Sequence, residues 1–315
     1  MPDVSNTVVV NTLGGALGHY TRELTHALSS GGATTSVIEI SEPSQSGRSA
    51  LHWLGAYASA LVQARRMRSR VIVTWPVLGY IDVILISIML GRRGYVIMHD
   101  PRPLVRARGY GRGWQRLASI FDRTGLIVHS HQARAAVGDA SLRRRSVLMP
   151  HPMLPPTPRR DSHKTGPVRV LGQYKPDRDL GALREIAGSG IKLPLEIVGR
   201  RWPAVEGWSV RPEFVPEDEM DGLLAGSSVV VIPYKRFYQS GIAIRSLEWE
   251  TPVVGPAGTS MDELLGRDSA LLAHGDWASA IQYAATSAGA EVHSVALRWY
   301  RHSSESWGKW AHDGR

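Results

Sequence analysis

The chain has 315 residues, a formal net charge of +9 and no cysteine. That length accommodates two domains with a core each, and the missing thiols exclude disulfides, thiolate metal sites and cysteine nucleophiles while fitting a reducing compartment. Residues 77–90 form the longest nearly uncharged apolar stretch, shorter than the roughly 18–20 residues that span a bilayer, and the first residues carry no signal-peptide pattern. The expectation is a cytoplasmic protein, soluble or peripheral on the cytoplasmic face of a membrane.

Charge is unevenly spread. Residues 1–160 hold twenty arginines, no lysine and eight acidic residues, a net +12, whereas residues 161–315 sum to −3. Much of the excess lies in Arg92, Arg93, Arg102, Arg106, Arg108, Arg112 and Arg116. Such a half-molecule is drawn to anionic lipid headgroups, nucleic acid or a polyphosphate substrate. A genome favouring arginine codons is the competing explanation.

In chain order, residues 7–12 are a β-branched run ending at Gly14-Gly15, followed by a helical stretch over 19–29. A second strand is predicted at 34–40, a long helix at 50–68, a third strand at 71–74 and a helix over 77–90. Short strands follow at 95–98 and 126–129. Repeated βα units of this length imply a parallel sheet covered on both faces. Six prolines between 150 and 167 interrupt the pattern and mark a linker. Alternation then resumes with strands at 168–171, 195–198, 229–232 and 252–254 and a helix near 180–187. The last stretch, 291–310, spaces Val292, Val295, Leu297, Trp299, Trp307 and Trp310 among polar residues, as a terminal helix packed on something apolar would.

Several strand ends carry residues suited to chemistry. Gly14-Gly15-Ala16-Leu17-Gly18 sits between a strand and a helix but lacks the G-x-G-x-x-G spacing, and Glu39 inside the second strand and Glu42 beyond it do not close that strand in the way that binds a ribose, so nicotinamide binding is not expected. What remains is either a flexible glycine loop open to a ligand or a plain βα turn. His99-Asp100 follows the 95–98 strand, where the imidazole could contact a ligand and the carboxylate act as a base; capping a loop is the alternative. His129, His131 and His151 occupy comparable positions, without the spacing of a metal helix, so no metal site is expected. Lys175 and Arg178, three residues apart beside a helix start, could grip a diphosphate or line a solvated loop. Pro233-Tyr234-Lys235-Arg236 leads into Gln239-Ser240-Gly241-Ile242, a predicted helix start whose free N–H groups and dipole suit an anion.

Together these pieces resemble the GT-B-fold, nucleotide-sugar-dependent glycosyltransferases, close to the GT4-type group. Gly172-Gln173-Tyr174-Lys175-Pro176-Asp177-Arg178-Asp179 matches the "G-x-x-R-P-x-K-G" segment that often opens the second domain, with Lys175 for the Arg and Arg178 for the Lys. His99-Asp100 matches "HN" or "HD", Val128-His129-Ser130 and Pro150-His151-Pro152 match "VHS" and "PHP", and Pro233-Tyr234, Ser240-Gly241 and Pro252-Val253-Val254 match the "PY…SG…PVV" run of a subset. The E-x7-E glutamates of many members are missing: counting back from Thr251, Phe237 and Arg245 hold those positions. The Ser-Gly subset tends to lack them as well.

The resemblance implies an α/β fold of two Rossmann-like domains facing across a cleft. Residues 1–158 would form the acceptor-side domain, 159–290 the nucleotide-sugar domain, and 291–315 a helix returning toward the first. It implies donor binding by Gly14, Gly15, Lys175, Arg178, Gly199, Tyr234, Gln239, Ser240, Gly241 and Ile242, with His99 and Asp100 as catalytic residues. No metal and no cofactor beyond the sugar-nucleotide substrate is expected. The implied activity is metal-independent transfer of a hexose from a nucleoside-diphosphate donor to a saccharide or lipid-linked acceptor, in the manner of cell-envelope or exopolysaccharide synthesis. A catalytically inactive partner subunit of another transferase is the alternative. Nucleic-acid binding finds no recognised module and no interleaved aromatics, and is not expected.

Overall fold

The computed structural model describes residues 6–43, 47–103, 107–121, 123–158 and 165–313. Arg106, the first five residues and part of the proline-rich linker, 159–164, lie outside the described residues. The chain divides into two compact units, Met1–Leu154 with His302–Arg315, and Pro155–Arg301.

In the first unit, β1 (Asn6–Asn11), β2 (Thr34–Glu39), β3 (Arg70–Val73), β4 (Gly94–Ile97), β5 (Gly125–Val128) and β6 (Val147–Leu148) form one parallel sheet in the order β2-β1-β3-β4-β5-β6. The connecting helices are α1 (Gly18–Ser30), α2 (Ala50–Arg66), α3 (Tyr80–Leu90), α4 (Arg112–Phe121), α5 (His131–Ala136) and α6 (Ala140–Arg145). Central strands buried on both faces read as continuous β-branched runs, which is why 8–10 and 71–73 were legible. Successive residues point to opposite faces. Val9, Ile72, Ile97 and Ile127 therefore pack with Tyr20, Leu24 and Leu28 of α1, while Val8, Val10, Val71, Val73 and Val96 pack with Tyr57 and Leu61 of α2 and Ile86 of α3.

Helix α3 starts at Tyr80, three residues later than the apolar run predicts. Gly79 has a φ of +62°, and the Asp82 carboxylate accepts the Leu78 N–H at 2.6 Å, so 77–79 form a turn ahead of the helix. Helix α2 ends at Arg66 rather than 68. Residues 14–17 are a 3-10 helix, not a flexible loop: the Asn11 side chain accepts from Leu13 N–H and donates to the Gly14 carbonyl.

The second unit repeats the plan. Its strands β7 (Val168–Leu171), β8 (Leu195–Val198), β9 (Ser209–Arg211), β10 (Val229–Val231), β11 (Val253–Pro256) and β12 (Leu272–Ala273) form a parallel sheet in the order β12-β11-β10-β7-β8-β9. Its helices are α7 (Leu180–Gly188), α8 (Glu217–Ala225), α9 (Gly241–Glu248), α10 (Met261–Leu265) and α11 (Trp277–Thr286).

The last helix, α12 (Gly289–Asp313), begins in the second unit, and from His302 onward it belongs to the first. There Trp307 and Trp310 are buried against Leu28, Tyr95 and Met149. The Arg70 guanidinium donates to the Trp310 and Ala311 carbonyls at 2.9 and 2.8 Å, satisfying acceptors that a helix end leaves open. Trp307 Nε1 donates to the Pro150 carbonyl at 2.9 Å.

Candidate active site

Both sheets present polar residues at the carboxyl ends of their strands, where open α/β sheets bind ligands. The first unit gathers three histidines there. His99 follows β4, His129 follows β5 and His151 follows β6, so the neighbouring order β4-β5-β6 brings their rings side by side. Centroids lie 5.4 Å apart for His99 and His129 and 5.2 Å for His129 and His151. Tyr20 of α1 stands among them, its ring 4.8 Å from His99 and 5.0 Å from His151. All four side chains are buried.

Hydrogen bonds fix how these rings are used. His129 Nδ1 donates to the Met149 carbonyl at 2.9 Å, leaving Nε2 to accept the Tyr20 hydroxyl at 2.8 Å. Both nitrogens are thus occupied in the neutral form, and burial holds the pKa of His129 well below the usual imidazole value, with the neighbouring His151 and His99 adding to the shift. His99 Nε2 donates to the Thr74 carbonyl at 2.8 Å, and its ring stacks on Trp75 at 5.1 Å. The Glu23 carboxylate, also buried, lies 3.5 Å from His19 Nε2 and 3.8 Å from His151 Nδ1. Asp100 is half-buried, and its charge contributes to raising the Tyr110 phenol. His131 is exposed at the start of α5. Gly14 is buried and Gly15 exposed in the 3-10 turn after β1.

A second buried acid lies nearby in the sequence of strand ends. Asp82, in the first turn of α3, is fully buried, and burial pushes its carboxyl up to about 7 despite the hydrogen bond from the Leu78 N–H. Tyr57 is raised in turn by its own burial and the facing carboxylate.

The second unit builds a charged rim. The segment after β7 and the segment after β10 are laced together: Lys235 N–H donates to the Asp177 carbonyl at 2.8 Å and Asp179 N–H to the Pro233 carbonyl at 2.6 Å. This carries Arg178 onto the Tyr234 ring, with the guanidinium carbon 3.5 Å from the centroid. Arg178 Nη1 donates to Asp177 Oδ2 at 3.1 Å and Nη2 to the Gln173 carbonyl at 3.3 Å. Both side chains are buried, yet Arg178 Nε and Asp177 Oδ1 have no hydrogen-bond partner. Burying such groups unsatisfied costs about 1–3 kcal/mol each unless a ligand completes them.

Helix α9 begins as expected. Ser240 caps it, accepting Ala243 N–H at 3.2 Å, and the Tyr234 hydroxyl bonds to the Ser240 side chain. The amides of Gly241 and Ile242 have no carbonyl one turn earlier within the helix to bond; Gly241 is exposed, and Ile242 and Gln239 are half-buried. Lys175 is exposed, as are Lys235 and Arg236, with Lys235 Nζ 3.8 Å from Asp179 Oδ1. Of the predicted donor contacts in this unit, the structure joins Arg178, Tyr234 and Ser240 into one chain of contacts. Gly199 stands apart at the end of β8. Its φ is +151° and a Cβ there would collide with the Gly172 carbonyl, so the glycine is required by the close approach of two strand ends.

The positions of the missing glutamates have structural occupants. Phe237 is buried edge-on against Tyr234, and Arg245 is buried with Nε 2.7 Å from Asp221 Oδ1 and Nη1 2.7 Å from Glu217 Oε2. Sequence reasoning also missed the gathering of Tyr20, Trp75 and the three imidazoles. Its signal was the repeated placement of a histidine directly after successive strands.

No family model matches the chain, and no curated protein matches it in sequence. Solved structures do match. Trehalose-6-phosphate synthase OtsA covers 98% of this chain and 97% of its own at 11% identity, with a TM-score of 0.59. Sucrose-phosphate synthase from Thermosynechococcus elongatus covers 98% and 94% at 14% identity and a TM-score of 0.57. A structure described as trehalose-6-phosphate from E. coli bound with UDP-2-fluoro glucose covers 98% and 97% at 12% identity, also with a TM-score of 0.57. With its two parallel six-stranded sheets, each flanked by helices, the chain has the fold of the GT-B glycosyltransferases.

Proposed function

We propose that the chain is a glycosyltransferase that moves a hexose from a nucleoside-diphosphate donor to a saccharide acceptor, carried on lipid at the cytoplasmic face of a membrane. The observation that carries this reading is the buried Arg178 guanidinium, which lies over Tyr234 at the carboxyl ends of β7 and β10 with its Nε–H unpartnered. A diphosphate oxygen is the natural complement of a buried guanidinium donor. One structural neighbour is described as bound with UDP-2-fluoro glucose, which supports a donor of this class. The order of the Lys175–Arg178, Tyr234 and Ser240-Gly241 motifs favours the Ser-Gly subset of the GT4-type group.

In the reaction the bond from the anomeric carbon to the diphosphate oxygen breaks, and an acceptor hydroxyl oxygen bonds that carbon and gives up its proton. Arg178, Lys175 and the amides at the start of α9 neutralise the charge that grows on the departing diphosphate, the part a divalent cation plays elsewhere. The Arg178 guanidinium, packed on Tyr234 and bonded to Asp177, needs little reorganisation at the moment of transfer. His99 contacts the donor sugar; if the reaction inverts, Asp100 takes the proton. Gly14 and Gly15 let the donor approach the backbone.

The buried, hydrogen-bonded polar groups at both strand-end rims favour an enzyme over an inactive partner subunit. Placing them there costs stability that packing alone does not require. The test is a thermal-shift screen of nucleoside diphosphates and sugar nucleotides on the full chain, followed by donor hydrolysis measured on any that raise the melting temperature. Stabilisation by a nucleoside diphosphate with release of sugar from its conjugate is expected. No shift with any of them, or a shift without turnover, contradicts the reading.

A further inference from the structure

Helix α4 (Arg112–Phe121) is assembled the wrong way round for a core helix. Its buried residues are Gln115 and Ala118, while Trp114, Leu117, Ile120 and Phe121 are exposed, Ile120 by 76% and Phe121 by 47%. Those four are among only ten exposed large apolar side chains of the described residues, gathered within one helix of ten residues. Scattered exposed apolar groups need no explanation, but a run on one helical face does. At 100° per residue, Trp114, Leu117 and Phe121 fall on one stripe, with Ile120 on its flank. Arg112 and Arg116 lie one turn apart on the side between Ile120 and the buried face, and Arg108 and Arg123 flank the helix; all four arginines are exposed. Residues 101–123 contain six arginines and a single acidic residue. On α3, which packs along α4, Ile88 is also 67% exposed.

An apolar stripe with an interfacial tryptophan and a bordering row of arginines is the composition of a helix lying in the headgroup region of a bilayer. We infer that α4 is a membrane-docking helix. Trp114, Leu117, Ile120 and Phe121 enter the acyl boundary of an anionic bilayer while Arg108, Arg112, Arg116 and Arg123 engage its headgroups. The longest apolar run is no rival for this contact, since its helix α3 buries Tyr80, Val83, Ile86 and Leu90. The charge is what selects the occupant: a second copy of this +9 chain would set arginine rows against each other, whereas anionic lipid complements them. No helix among the described residues is long and apolar enough to cross a membrane, and an in-plane helix needs no such length. The inference deepens the lipid side of the proposed function and does not depend on the transfer chemistry.

The experiment is co-sedimentation of the full chain with phosphatidylcholine vesicles with and without phosphatidylglycerol, at low and high salt. It is run on wild type, Ile120→Ser/Phe121→Ser, Trp114→Ser and Arg112→Gln/Arg116→Gln, with melting curves to establish that each variant folds. Wild type is expected to bind the anionic vesicles and to lose binding in salt. At low salt, Ile120→Ser/Phe121→Ser should weaken binding at least about tenfold, and Arg112→Gln/Arg116→Gln about tenfold. Trp114→Ser should weaken it by a smaller factor. The inference is overturned if wild type ignores anionic vesicles, or if the apolar variants bind as wild type does. It is equally overturned if sedimentation shows a dimer that Ile120→Ser/Phe121→Ser dissociates while no vesicle is bound. Thermal shifts by nucleoside diphosphates should be unchanged in all variants, so wild type that binds nucleotide but ignores anionic vesicles refutes this inference alone, and wild type that binds vesicles but no nucleotide refutes the transfer reading alone.

Discussion

The two units share a topology and handle buried charge in opposite ways. In the first, burial disfavours the charged form of two groups: His129 is held neutral between the Met149 carbonyl and the Tyr20 hydroxyl, and Asp82 is pushed up to about 7. In the second, Arg178 is paired with Asp177, and the dipole of α9 opens on the same rim. The contrast separates a neutral, internally hydrogen-bonded cluster from a cationic rim. Parallel sheets supply the place for both; the side chains at the strand ends decide which ligand chemistry each can hold.

The sharpest break in this contrast should come from the charged rim. Asp177→Ala leaves the Arg178 guanidinium buried without its counter-charge, and removing one partner of a buried pair costs about 3–5 kcal/mol. Denaturant unfolding should show that loss, and Asp177→Asn should recover part of it. An equal stability of Asp177→Ala and wild type would mean that the pair is solvated and the contrast is false.

In the first unit the corresponding change should stabilise. The native pKa of Asp82, about 7, lies above the ordinary carboxylate value, so the native state binds more protons than the unfolded state between about pH 4 and 7, and stability falls as pH rises through that window. Asp82→Asn retains an acceptor for the Leu78 N–H and removes the ionisation. At pH 8 it should be more stable than wild type by up to about 4 kcal/mol, with little difference at pH 4. A variant less stable at both pH values would show that the carboxylate is satisfied where it lies.

Catalytic effects should be somewhat smaller in free energy. Once a donor and acceptor pair is found, His99→Ala and Asp100→Asn are each expected to lower turnover by about 10²-fold. Undiminished turnover in both would leave the first rim without a part in the reaction.

The smallest expected effect is the pH response of the imidazole cluster. Because the pKa of His129 is depressed in the folded state, the unfolded chain takes up its proton first as pH falls below about 6.5. Stability should therefore decline below that pH, by no more than about 1.4 kcal/mol per pH unit from this group, and be insensitive to it above. His129→Gln should flatten the decline measured by thermal unfolding between pH 6.5 and 5; an unchanged slope would assign it to other groups.

The strands and the cap of α9 were legible in sequence because their causes are local. A β-branched run such as 229–232 specifies a buried parallel strand, and Ser240 ahead of a helical run specifies its own hydrogen bond to Ala243. The pairing of the 173–179 and 233–238 segments was not legible, since it depends on β7 and β10 lying side by side. The histidine cluster needed the same knowledge of strand order, with Tyr20 and His129 separated by 109 positions. Helix α4 was hidden for another reason: Gly111 and Gly113 weaken the helical pattern at its start, and its apolar residues face solvent rather than a core that would make their spacing informative. At Phe237 and Arg245 the sequence registered a departure from the E-x7-E pattern, and only packing revealed the aromatic contact and the Glu217–Asp221 clamp that occupy those positions.

The central claim is that the second unit's rim holds a nucleoside diphosphate. Isothermal titration of UDP, GDP, ADP and CDP into the full chain tests it most directly, with wild type compared against Lys175→Ala and Lys175→Ala/Arg178→Gln after both variants are shown to fold. The account predicts that at least one nucleotide binds wild type and that the double variant weakens it by about 10- to 150-fold, the equivalent of about 1.5–3 kcal/mol for a charge-assisted phosphate contact. Binding of every nucleotide as tightly to the double variant as to wild type, or to neither, would contradict it.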